Sequence, residues 1–433
     1  MSKQRIQLSD HFTYFRLLRF VLPCIGTTLF TSIYGIVDGL CVSNFVGKTA
    51  FAAVNLIMPL PMLLGTIGFM LGTGGSAIVG ITLGEGDQKK ADRYFTLFLL
   101  AALVSVSVLA VLGIVFLRPI AVLLGAKGEL LDYAVRYGRI LMVSLPTFAL
   151  QNMFQSFFVT AEKPHLGFWF TVGAGCTNMV LDVLMVGVWG WGVEGAAIAT
   201  FISQLVGGVL PVFYFIDRSN SSRLHLCKTS FYSKVLRDAC INGSSELMTN
   251  LSMSLVNILY NYQLLRLAGE NGVAAYGVIM SAVFLFVAVF EGYAVGSAPI
   301  VSFHYGARNH TEVHNLYRKS LRLIAVVAVT LTLASMFIIP CVARIFVGYD
   351  AELLALTSRA FRLYALSFLI MGFNVYASSF FTALGDGVTS ALISFLRTLV
   401  FQVIAILLLP LLLGIDGIWL AVTAAELAAL AVS

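Results

Sequence analysis

Residues 95–117 read FTLFLLAALVSVSVLAVLGIVFL, a stretch of 23 residues with no ionisable side chain. At 1.5 Å per residue a helix of that length spans roughly 34 Å, enough to cross a hydrocarbon layer of about 30 Å. Similar stretches recur on both sides of it, separated by short polar breaks. The 433 residues are 59% hydrophobic and 11% charged, with a mean hydropathy of +0.92. A soluble domain carries about 25% charged residues, so the surrounding medium read here is lipid. Lipid offers the backbone no hydrogen bonds, which demands helices or a closed barrel. Ten-residue segments of alternating polarity, the barrel signature, are absent.

Working outward from 95–117, the same reading places helices at 16–39, 52–83, 135–160, 166–187, 195–216, 235–266, 272–302, 319–342, 359–383, 388–412 and 416–433. The first run begins after Arg16 and Arg19 and is too long for a signal peptide. The six cysteines (Cys24, Cys41, Cys176, Cys227, Cys240 and Cys341) show no CxxC spacing and read as small apolar residues. The net charge of +6 lies in loops, which points to membrane topology and away from nucleic acid. Of the 27 Lys and Arg residues, 17 fall at the N-terminus, including Lys3 and Arg5, or in the loops after even-numbered helices. Nine fall in the other loops, and Arg397 lies inside helix 11. The bias predicts that both termini are cytoplasmic.

The halves match at a constant offset of 222 residues without a gap. Gly47 pairs with Gly269, Ile57-Met58 with Ile279-Met280, Gly74 with Gly296, Gly84 with Gly306, and Gly192-Val-Glu-Gly195 with Gly414-Ile-Asp-Gly417. Six helices per copy is an even number, so the copies share an orientation and are related by an axis along the membrane normal. The expected fold is an all-α membrane protein of twelve transmembrane helices in two pseudo-symmetric six-helix bundles. The N-terminal lobe covers 1–217, a cytoplasmic linker 218–234 and the C-terminal lobe 235–433. Parallel repeats of this kind suit alternating access about a midplane site.

A charge at the bilayer centre costs roughly 2.5–3.5 kcal/mol on insertion scales, so buried ionisable groups are candidates for function. One group falls in the first half. Asp38 lies deep in helix 1, Asn178 and Asp182 share a face of helix 5, and Thr200 sits near the outer start of helix 6. Tyr137 of helix 4 is at a similar depth. Two carboxylates side by side in low dielectric cannot both remain charged and unpaired. They take up a proton, or the four oxygen-bearing residues Asp38, Asn178, Asp182 and Thr200 bind a hard cation such as Na⁺. A helix-capping role for Asp38 and backbone bonds for Asn178 and Asp182 are the bland alternative.

A second charge cluster holds Glu246, Glu291, Arg397 and Glu426, on helices 7, 8, 11 and 12. Arg397 is expected to pair with one of the glutamates. These charges have no counterparts at the 222 offset, whereas Glu194 and Asp416 do and read as helix-start acids. Pro23 permits a kink in helix 1. Met58, Met280, Phe154 and Phe157 are offered as lining for a greasy cavity. His310 and His314 have an i, i+4 spacing without further ligands, which argues weakly for metal.

These features resemble the multidrug-and-toxin extrusion (MATE) family over essentially the whole chain. The resemblance rests on Pro23 followed by Val37-Asp38-Gly39, on Gly47-Lys-Thr-Ala50, on Gly84-Glu-Gly-Asp87 and on Pro299…Tyr305-Gly306-Ala307. It implies an antiporter of the bacterial inner membrane that exports amphipathic, often cationic, small molecules. It further implies coupling to H⁺ or Na⁺ at Asp38, Asn178, Asp182 and Thr200, with Tyr137 beside them, and a helix 7 acid at Glu246. No cofactor, no catalysis, no nucleic acid and a monomer in the lipid bilayer are expected. A lipid-linked oligosaccharide flippase of the same superfamily would want a strongly cationic cavity for pyrophosphate, and only Arg397 is mid-membrane. A membrane-embedded enzyme would need a convergent nucleophile and base, and no HExxH or GxSxG occurs.

Overall fold

The computed structural model describes residues 6–46, 48–348 and 350–433. Gly47 of the repeat and Lys3 and Arg5 of the charge count lie outside them.

The described residues form sixteen α-helical and two π-helical segments, which join into twelve helices, and no strand. The first bundle holds α1 (Tyr14–Phe45), α2 (Lys48–Ile57 continued by Pro59–Gly84), α3 (Gln88–Leu123), α4 (Gly128–Thr160), α5 (Pro164–Val188) and α6 (Gly192–Ile216). In the second bundle a short helix, Ser233–Asn242, leads into a helical run of 63 residues, Ser244–Gly306. A straight rod of that length would measure about 95 Å, three times the hydrocarbon thickness. Gly269 divides it, with φ 62° and ψ −150°, a conformation open to residues without a Cβ. The run is therefore two spans joined by one glycine: α7 (233–268) and α8 (270–306). They are followed by α9 (His310–Val347), α10 (Ala351–Ala365 and Phe368–Ala383, bent by 47°), α11 (Gly387–Leu413) and α12 (Ile415–Leu430).

The repeat reappears as geometry. Asp87 caps α3 by accepting from the Lys90 N–H at 3.0 Å, and Asn309, 222 residues later, caps α9 by accepting from the Glu312 N–H at 3.1 Å. Gly192 and Gly414 share φ 60° at the starts of α6 and α12. Glu194 and Asp416 lie in the first turns of those helices, and each meets an arginine: Arg136 at 3.8 Å and Arg359 respectively.

The two bundles touch through α1 and α2 on one side and α7 and α8 on the other. Gly80 of α2 faces Ser302 of α8, its own repeat partner, so the pseudo-two-fold axis runs between them. A side chain at Gly84 would collide with the Phe303 carbonyl, and one at Gly306 with the Ile81 carbonyl. Residues 81 and 303 are again 222 apart. Gly74 packs on Ala239 and Gly243, and Gly296 packs on Val21 and Cys24. These contacts cluster toward the face that carries the N-terminal segment and the linker, hereafter the linker face. There the small residues let backbones approach closely, the usual source of helix association in lipid.

The linker face is further knit by carboxylates. Glu162 accepts from the Leu8 N–H at 2.9 Å and pairs with Arg223 of the linker at 2.5 Å. Glu312 of α9 accepts from the Phe12 N–H at 2.9 Å and meets His11 Nδ1 at 2.6 Å. Lys319 donates to the Phe12 carbonyl at 2.6 Å. Leu8 and Phe12 are fully buried, so residues 6–13 lie across both bundles.

Candidate functional site

Asp38 lies 24 residues along α1 from Tyr14, about 36 Å along its axis. Asp182 is the last α-helical residue of α5 before a turn of wider pitch, Val183–Val188. In that turn the Trp189 N–H donates to the Leu184 carbonyl, five residues back, at 2.8 Å. Such π turns occur frequently at functional sites, and this one re-aims the chain directly after an acid.

The carboxyl groups of Asp38 and Asp182 lie within interaction range of each other. Asp182 is fully buried, and among the described residues both of its oxygens, with Oδ1 of Asp38, lack any hydrogen-bond partner of ordinary geometry. Tyr137 of α4, also buried, and Tyr34 and Cys41 of α1 complete the surroundings. The Tyr137 hydroxyl points at Met58 Sδ, 3.9 Å away. Met58 is thereby part of the wall of this site.

Asn178 is buried one turn before Asp182, and its Nδ2 has no partner among the described residues. Thr200 donates to the Ala196 carbonyl on its own helix at 3.0 Å. Among the described residues no hydrogen bond joins Asn178 or Thr200 to either carboxylate. The structure thus brings together Asp38, Asp182 and Tyr137, with Asn178 adjacent along α5 and Thr200 occupied by backbone. Three orphaned carboxylate oxygens in low dielectric form an acceptor set that lacks its positive charge. A proton or a small hard cation suits it chemically.

The second cluster is a paired one. Arg397 Nε donates to both oxygens of Glu426, at 2.9 and 3.0 Å. Glu426 is fully buried and also accepts from Asn374 Nδ2 at 2.7 Å. Arg397 sits in the second π turn of the molecule's described residues, Leu396–Val400. Glu291 lies within electrostatic reach of Arg397, and Glu246 within reach of Glu291. Glu291 is exposed although it lies midway along α8.

Asn374 escaped the sequence reading because an uncharged amide carries no insertion penalty comparable to an acid. A signal did exist. Asn374, Ser378 and Thr382 recur every fourth residue on α10, opposite Ser390 and Ser394 of α11. Their hydroxyls meet in a row: Thr382 to Ser390 at 2.7 Å, Ser390 to Ser378 at 2.9 Å, and Ser378 to Ser394 at 2.9 Å.

With this architecture in place, the family model described as MatE matches the chain twice, at residues 23–184 and 247–408. The chain belongs to the MATE family. It is 21% identical to the multidrug export protein MepA of Staphylococcus saprophyticus, over 93% of this chain and 87% of that one. To MepA of Staphylococcus aureus it is also 21% identical, over 96% and 91%. A crystal structure of a MATE in complex with MaL6 superposes with a TM-score of 0.93 at 22% identity, covering 100% of this chain and 97% of the other. An outward-facing multidrug resistance MATE family transporter superposes equally well, at 0.93 and 23% identity, covering 100% and 96%.

In this MATE chain Pro23 lies inside α1. Two hydroxyls serve carbonyls near it: Thr27 donates to the Pro23 carbonyl at 2.9 Å, and Thr28 donates to the Ala288 carbonyl of α8 at 2.6 Å. The proposed cavity residues separate. Met280 is half-buried on α8. Phe154 and Phe157 are 1% and 0% exposed and stack with Phe95, Phe158 and Phe215. In this conformation they pack the core of the first bundle, where the sequence reading offered them as cavity lining. Residue type alone does not distinguish an aromatic that faces lipid, cavity or core.

Proposed function

We propose that the protein is a cation-coupled antiporter that exports amphipathic organic molecules by alternating access. The observation that supports this reading is the Asp38–Asp182 pair, two buried carboxyl groups side by side with no cationic partner among the described residues. A proton or Na⁺ entering from outside removes one negative charge from the pair and favours one arrangement of the bundles over the other; the loaded drug favours the reverse. One charge falling through 100 mV releases about 2.3 kcal/mol, and a tenfold concentration ratio is worth about 1.4 kcal/mol. One cation per cycle thus supports roughly tenfold to hundredfold drug accumulation outside. The export of drugs is named for the MepA relatives and comes to this chain through its family.

The excess of Lys and Arg on the linker face supports a cytoplasmic position for that face and for both termini, in a bacterial-type inner membrane. No catalytic step is assigned. Arg397, already engaged by Glu426, is a poor receptor for a pyrophosphate, which favours the drug reading over the flippase. The test is drug efflux from reconstituted vesicles under a pH gradient or a Na⁺ gradient applied separately. Export should follow one of them in the parent protein. It should be lost in both Asp38→Asn and Asp182→Asn while the variants remain inserted. Export by both variants at the parent rate would refute the assignment.

A further inference from the structure

Interlobe contacts on the linker-face side obey a fixed register. On α1 and α8, Val21 meets Gly296, Ile25 meets Gly292, and Thr28 bonds to Ala288. The helices are antiparallel, so each step along α1 is matched by a step back along α8. On α1 the contacting face continues through Ser32 and Gly35 to Gly39, in the alternating three-and-four spacing of a helix seam. On α8 it continues through Leu285 and Ser281 to Gly277. The same register therefore sets Gly39 opposite Gly277.

Space around both residues is open: among the described residues nothing lies within 4 Å of where a side chain would stand at Gly35, Gly39 or Gly277. The seam is zipped on the linker side and unzipped beyond Thr28.

The repeat supplies the second seam. Gly74 of α2 meets Gly243 of α7, and Met70 lies against Gly243 as well. Moving up this pair, the partner of Gly39 is Asn261 and the partner of Gly277 is Asn55, each 222 residues away. Both asparagines are exposed, and Asn261 lines an open hollow with Tyr262, Leu265 and Glu270.

We infer that Gly39 against Gly277 and Asn55 against Asn261 are the two contacts that seal the far side of the molecule when the linker face opens. The chemistry differs between the seams for a physical reason. Two glycines let backbones touch with no side chain to clear. Two asparagines bring amides that can hydrogen-bond across the seam once it is dry. The inference rests on the alternating-access reading above but commits to contacts that reading does not specify.

The experiment uses the full-length protein in lipid vesicles, with its six cysteines replaced, carrying Asn55→Cys with Asn261→Cys or, separately, Gly39→Cys with Gly277→Cys. Cross-linking by a short bis-maleimide is read on gels. A reference pair, Thr28→Cys with Ala288→Cys, cross-links in the conformation described here. Conditions that suppress the reference cross-link should accelerate both far-side cross-links by roughly tenfold or more, the size expected for a two-state population shift. Asn55→Cys with Leu259→Cys, half a turn away, should stay unlinked throughout. Suppression of the reference pair without any gain at the far-side pairs overturns the register while leaving antiport intact. A reference pair that never responds to drug or ion gradients overturns the alternating-access reading itself. Gly39→Leu gives an independent check: it should lower export several-fold while sparing insertion, and unimpaired export by Gly39→Leu counts against the glycine seam.

Discussion

The two buried acid clusters differ in one respect that decides their roles. Glu426 has its charge matched by Arg397 and Asn374; Asp182 meets no cation among the described residues. A matched pair resists change, and an unmatched one invites a ligand. Arg397→Met leaves a buried carboxylate without its cation and should cost about 3–5 kcal/mol. The double variant Arg397→Met with Glu426→Leu should recover most of that loss, as thermal unfolding in detergent would show. If the single variant is as stable as the parent, the pair is not the pin described here. Asp38 and Asp182 were legible in the sequence because a charge in lipid is expensive and so stands out. Their adjacency to Tyr137 followed from depth alone. Asn374 and the serine row were not legible, since hydroxyls in a membrane helix return their bonds to the backbone in most places, as Thr200 does to Ala196.

At the scale of elements, the sequence located the spans but cut them short. The third helix, read as 95–117, runs from Gln88 to Leu123, because its polar ends continue through the headgroup layer where hydropathy no longer marks them. The loop expected between 266 and 272 is a single glycine turn at Gly269. Neither π turn contains a proline, and Gly187 of the first has no counterpart in the second, so neither residue type marks the shift from four-residue to five-residue bonding. The glycines at the α2–α8 contact carry an element-level prediction. Gly84→Val or Gly306→Val must push a neighbouring carbonyl aside, a strain of about 1–3 kcal/mol. The strain acts on the linker-closed arrangement, and should shift the balance toward the linker-open one roughly five- to hundredfold. Distances between spin labels on Arg93 and Arg322 would report it: both variants should lengthen the mean separation, and an unchanged distribution would contradict the packing argument.

For the whole molecule, duplication explains the scaffold and also its division of labour. Caps, glycine turns and the outer arginine pairs recur in both bundles, whereas the Asp38–Asp182 pair occurs in the first and the Arg397–Glu426 ion pair in the second. On the proposed reading, the first bundle responds to an ion and the Arg397–Glu426 pair helps the second hold its shape. Swapping the roles is testable: Glu291→Gln should alter which drugs leave, measured as a change in relative export rates among cations of different charge, yet keep the ion dependence of the parent. Loss of ion dependence in that variant would move coupling into the second bundle.

The staples that Glu162 and Glu312 make with the backbone of Leu8 and Phe12 have a practical corollary. Deleting the first twelve residues removes no membrane span, so biosynthesis and insertion should proceed normally. The shortened transporter should nonetheless idle, gaping toward the cell interior, and confer less drug tolerance on its host than its abundance in the membrane would suggest.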